Sequence, residues 1–124
     1  IPFLNLIANL KQRTRRINIR AGGNTQETAT LVDSTPDGKI LEEDLQAVSG
    51  TTTPPLIFAP DLIQMMRNIS DFVNVHWFLG VPFNDTNWRL AIVEAGQAVL
   101  SDFLIGVQAG NEPDLYSTHG RPYP

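Results

Sequence analysis

The sequence contains no cysteine, and that absence removes a disulfide framework, a thiolate zinc site and a thiol nucleophile together. Long apolar runs are also missing, and nothing approaches the roughly 18 residues that a membrane-spanning helix requires. Bases are scarce, with nine Lys and Arg against thirteen Asp and Glu, for a formal charge of −4. Such a chain lacks the basic surface with which nucleic-acid binders neutralise phosphates. The glycines form neither a Rossmann fingerprint nor a P-loop, and no serine sits in a G-x-S-x-G elbow. No spacing of His, Glu and Asp suggests a metal site, and no cofactor is implied. What remains is globular in character: 124 residues, 42% hydrophobic and 18% charged, enough for one domain or a piece of one.

The chain opens on Ile1-Pro2-Phe3, without an initiator methionine or a signal-peptide pattern, as expected of a processed, excised or truncated chain. Two sequons, Asn68-Ile69-Ser70 and Asn84-Asp85-Thr86, are compatible with secretion.

Residues 3–16 read as an amphipathic helix, with Phe3, Leu6, Ile7 and Leu10 on one apolar face. Lys11, Arg13, Arg15 and Arg16 follow, where cations suit the helix dipole. They form either a solvated helix end or a patch for polyanions. Residues 17–20 give a short strand, closed by Ala21-Gly22-Gly23-Asn24, and residues 25–32 a short helix or irregular turn. From Asp33 to Pro55 the chain is polar and rich in turn formers, a long excursion with a small strand or helix around residues 39–48. A second helix runs over residues 60–71, with Leu62, Ile63, Met66 and Ile69 inward and its methionines as core filler. Residues 73–79 are β-branched and aromatic, a strand. A third helix spans residues 87–100, and residues 103–109 form a strand apolar enough to be covered on both faces. Strands alternating with helices imply an α/β fold with parallel pairing.

In parallel α/β proteins the functional groups gather beyond the carboxyl ends of the strands. That rule selects Arg20-Ala21-Gly22-Gly23-Asn24, Leu79-Gly80-Val81-Pro82-Phe83-Asn84 and Ala109-Gly110-Asn111-Glu112-Pro113-Asp114. Glu112 stands just past an apolar strand, with Pro113 behind it to fix the backbone. A carboxyl held partly desolvated at such a mouth can act as a general acid near neutral pH; the bland alternative is a loop-facing carboxylate. Asn111 offers donors and an acceptor suited to a sugar hydroxyl. Arg20 needs a partner if buried, either Glu112 or an ion pair elsewhere. His76 is either a hydrogen-bonded core residue or part of the mouth, and Tyr116 and His119 on the following tail are equally open.

These residues resemble a family. Residues 17–28, the stretch Val75-His76-Trp77-Phe78-Leu79-Gly80 and the segment Gly110-Asn111-Glu112-Pro113-Asp114 are similar to fungal secreted proteins of glycoside hydrolase family 79. That family includes β-glucuronidases and heparanases, and the likeness runs along essentially the whole chain. Asn-Glu-Pro alone is widespread among retaining barrel glycosidases such as β-glucosidases; the Arg-x-Gly-Gly-Asn segment narrows the match. The resemblance implies a partial (β/α)8 TIM barrel, about three parallel strands with intervening helices, over residues 1–124. It implies secretion, and Glu112 as the acid/base of a retaining hydrolase of β-linked glucuronides or related uronic-acid glycans. Asn111 would hydrogen-bond the sugar 2-hydroxyl and Asn24 would contact the same sugar.

A full barrel needs about 250 residues, and the retaining mechanism needs a second carboxyl about 5–5.5 Å from the first. The family places that nucleophile on a later strand, and Asp114, two residues along the same loop, is poorly placed to replace it. The chain is therefore expected to be inactive alone, its sheet edges covered by the remainder of a barrel or by self-association. The alternative is a non-catalytic, lectin-like or interaction protein that binds carbohydrate through the same residues.

Overall fold

A computed structural model describes residues 1–46, 54–82 and 90–119. Helix α1, Pro2–Lys11, leads into strand β1, Ile17–Ala21; a 3-10 turn, Asn24–Glu27, follows. Three short strands come next: β2, Thr30–Leu31; β3, Leu41–Glu43; and β4, Leu56–Phe58. Helix α2, Pro60–Val73, strand β5, Val75–Val81, helix α3, Leu90–Leu100, and strand β6, Leu104–Ala109, complete the alternation, with a second 3-10 stretch over Pro113–His119.

The main sheet has the order β1-β5-β6, and both pairings are parallel. The alternation of helix and strand therefore gives the parallel α/β arrangement expected. Side chains alternate across β5, so Val75, Trp77 and Leu79 are buried under the helices, whereas His76, Phe78 and Gly80 face the other way. With Ile63 and Met66 of α2 and Ile92 of α3, the buried set forms the core. Each large apolar side chain fully buried there contributes roughly 1.5–3 kcal/mol. The Trp77 indole N–H donates to Ser70 Oγ at 2.7 Å, and that hydroxyl donates to the Met66 carbonyl at 3.1 Å. A polar pair in the core is thus internally satisfied. At the end of α2, Asn74 takes a left-handed conformation (φ 54°), and its amide donates to the Arg15 carbonyl at 2.9 Å. Asn is one of the few side chains suited to that cap position.

Several expectations need correction. Helix α1 stops at Lys11, not at residue 16: there the Arg13 N–H bonds the Leu10 carbonyl and the Thr14 N–H the Lys11 carbonyl, three residues back, which tightens the last turn. The Thr14 hydroxyl also takes the Leu10 carbonyl. Its face is also rotated: Ile7 is buried with Leu4 and Ala8 packed beside it, whereas Phe3, Leu6 and Leu10 are exposed. Arg13, Arg15 and Arg16 lie in the exposed connection beyond the helix. Val73 belongs to α2, not to β5. Met66 is core, but Met65 is exposed. Strand β6 is an edge strand with Val107 exposed, so it is not covered on both faces. Trp88 and the start of the third predicted helix lie outside the described residues, as does Asn84 of the second sequon.

The excursion is tied into a sheet with the segments that flank it. β2, β4 and β3 form a second, mixed sheet, with β2-β4 parallel and β3-β4 antiparallel. Of the small strand or helix expected around residues 39–48, the structure has the strand, β3; β2 and β4, on either side of the excursion, were not foreseen. An apolar groove of about 710 Å³ runs between α1 and α2, with Phe3, Met65 and Phe72 on its walls.

Candidate active site

The ends of the three parallel strands meet at the Asn24–Glu27 turn. Gly22 and Gly80 face each other across β1 and β5, and the Gln26 carboxamide lies against both, where a β-carbon on either would overlap it. Gln26 Nε2 donates to the carbonyls of Val81 and Gln108, each at 3.3 Å, and its Oε1 accepts the Gly23 N–H at 3.0 Å. One buried side chain therefore reaches the ends of β1, β5 and β6. The double glycine serves this close approach as well as the turn itself, where Gly23 has φ 129°.

Above this clasp lies a polar cluster. Arg20 on β1 donates from one terminal nitrogen to Gln108 Oε1 at 2.9 Å and to Asn111 Oδ1 at 3.3 Å. Asn111 Nδ2 donates to Asn24 Oδ1 at 2.9 Å and to Glu112 Oε2 at 3.3 Å. The Asn111 backbone N–H donates to Glu27 Oε1 at 2.6 Å. Four of the five predicted site residues, Arg20, Asn24, Asn111 and Glu112, are thus brought into one hydrogen-bonded group from segments far apart in sequence. Asn111 is its hub, buried while Arg20, Asn24 and Glu112 are exposed.

The loop that carries Glu112 is bent twice. Gly110 has φ 71° and Glu112 itself φ 51°, an uncommon conformation for a residue with a side chain. Such a left-handed residue costs of order 1–3 kcal/mol and persists only where its surroundings hold it. The Gly110 N–H, bonded to the Val81 carbonyl at 2.9 Å, and the Asn111–Glu27 contact supply that hold.

Of the two readings of Glu112, the structure has the exposed, loop-facing carboxylate and not the partly desolvated one. Arg20, itself exposed, pairs with the amides of Gln108 and Asn111 and with neither Glu112 nor another carboxylate among the described residues. The reason is reach: the asparagine stands between the two charged groups.

The fifth residue, His76, does not join the group. It pairs in register with Asn18 near the start of β5, whereas Val81 at the strand end pairs with Ala109. Five residues of strand separate His76 from the rim, about 16 Å. Its ring meets Phe103 edge-on at 5.3 Å, and its buried Nδ1 has no hydrogen-bond partner among the described residues. Tyr116 is buried within the final 3-10 stretch, 1% exposed, and is part of the packing. Asp114 is exposed on that stretch. The side chain of His119 lies outside the described residues.

Three contributors escaped the sequence reading as site residues: Gln26, Glu27 and Gln108. Gln26 and Glu27 stand in a polar run that carries no periodicity, and only the paired glycines nearby hint that a side chain must be accommodated. The chain matches no protein-family model and no curated protein.

Proposed function

We propose that the chain is part of a (β/α)8-barrel retaining glycoside hydrolase acting on β-linked glucuronides or related uronic-acid glycans, with Glu112 as its acid/base. The observation that carries this reading is the Arg20–Asn111–Asn24 hydrogen-bonded set at the carboxyl ends of three parallel strands, with Glu112 adjoining it. The family resemblance of residues 17–28, 75–80 and 110–114 supports it as well.

In this reading Glu112 protonates the departing glycosidic oxygen and later draws the proton from an incoming water. Asn111, fixed by Arg20, Asn24 and Glu27, has both amide hydrogens engaged by Asn24 and Glu112 and offers the second lone pair of its Oδ1 to the sugar 2-hydroxyl. Arg20 commits one guanidinium nitrogen to the amides, which leaves further N–H groups for a carboxylate, whether of the sugar or of the nucleophile. Retention requires that nucleophile from another segment. Within the hydrogen-bonded group the only other carboxylate is Glu27, which is buried and engaged by Asn111. Secretion belongs to the same proposal.

That last observation favours a second reading for the chain on its own: carbohydrate binding without turnover. Assay of an aryl β-glucuronide with the full-length protein separates the two. Cleavage that Glu112→Gln abolishes for substrates with poor leaving groups supports the hydrolase. Normal turnover by Glu112→Gln excludes the acid/base role, and glucuronide binding without any cleavage supports the second reading.

A further inference from the structure

Glu27 is the most deeply buried ionisable side chain of the rim, 2% exposed, and it takes the Asn111 N–H at 2.6 Å across 84 residues of sequence. A carboxylate withdrawn from water to this degree requires strong partners, and hydrogen bonds to an ionised acceptor are roughly twice as strong as neutral ones. The amide it holds lies between the two left-handed residues, Gly110 and Glu112. Fixing that one N–H fixes how the chain turns on both sides of it. The neighbouring Gln26 grips the Gln108 carbonyl, on the other side of Gly110. Consecutive side chains of one 3-10 turn thus hold the loop before and after its bend. Gln26 closes the strand ends; Glu27 acts on the peptide that presents Glu112.

We propose that Glu27 is a positioning residue: its carboxylate holds the Asn111 peptide and so sets the direction in which Glu112 leaves the strand end. This rests on the reading of Glu112 as acid/base. A displaced acid/base slows the first step only where the leaving group needs a proton, whereas the water attack of the second step is slowed for every substrate, so the leaving-group dependence is read in kcat/KM. A misplacement of about 1 Å can cost about 10²-fold.

The test compares two β-glucuronides in the full-length protein, one with a dinitrophenyl leaving group that departs unaided and one with an alkyl leaving group that needs protonation. Glu27→Ala is expected to lower kcat/KM about 10²-fold on the alkyl glucuronide and less than about tenfold on the dinitrophenyl compound. Glu27→Gln, which keeps an acceptor oxygen, should return the alkyl rate to within about tenfold of wild type. Equal losses on both substrates, or a Gln variant as damaged as the Ala variant, overturn the positioning role. If Glu27→Ala does not fold, Glu27→Asp, one methylene too short, replaces it with the same selective loss expected. Glu112→Gln in the same assay separates the two claims: if its alkyl-glucuronide turnover is normal, the acid/base reading itself falls. One readout needs no activity. The Asn111 amide proton should resonate well downfield of the other loop amides in this chain and move upfield in Glu27→Ala; an ordinary shift in wild type overturns the contact.

Discussion

Gln26 and Gly80 share one volume: the carboxamide oxygen of Gln26 lies where a β-carbon of residue 80 would have to be. Gly22 across the strand pair stands in the same relation to it. Three strand ends are therefore tied through a side chain that fits only because two residues lack one.

Gly80→Ala is expected to cost about 1–3 kcal/mol by overpacking, and Gln26→Ala a similar amount because the Gln108 carbonyl loses a buried donor. The two losses should not add, since the small side chain of Gln26→Ala makes room for the methyl of Gly80→Ala. Urea denaturation of both single variants and the double variant measures this. Fully additive losses would show that the two positions do not compete for space.

The Trp77–Ser70 hydrogen bond gives a second stability test. Ser70→Ala removes the acceptor and leaves the buried indole N–H unpaired, at a cost of about 1–3 kcal/mol. A urea midpoint unchanged from wild type would mean that the indole finds another partner.

At the rim, Asn111→Ala should weaken binding of methyl β-glucuronide by at least about tenfold, equivalent to about 1.4 kcal/mol. It removes the group through which Arg20 and Asn24 are joined. Asn24→Ala should weaken binding less, because Arg20 still orients the hub. His76→Ala, at the opposite end of β5, should leave affinity unchanged. Calorimetric titration reads all three; a large loss in His76→Ala would contradict the geometry of the site.

The parallel sheet was legible in the sequence because its evidence is local. Val75, Trp77, Phe78 and Leu79 are β-branched, aromatic or apolar and are followed by turn formers, and Leu62, Ile63, Met66 and Ile69 recur at helical spacing. The second sheet was not, since strands of two or three residues, such as Thr30–Leu31, are too short to show a period. α1 misled through its excess of apolar residues, which offers more than one face; tertiary packing chose Leu4, Ile7 and Ala8. The rule that function gathers past strand ends found Arg20, Asn24, Asn111 and Glu112. It did not find Glu27, whose role depends on an amide 84 residues away, and it left His76 open between core and mouth, because composition does not fix where a strand begins and so how far from its carboxyl end a residue lies.

Strand β1 must find β5 across a separation measured by the Asn74–Arg15 bond, which spans 59 residues. β5, α3 and β6, by contrast, are consecutive in the chain. Closure of so long an intervening loop carries an entropic cost before any contact repays it, and such non-local pairing slows folding. During refolding the C-terminal unit should gain protection from hydrogen exchange first, with β1 docking onto it in a later, slower phase.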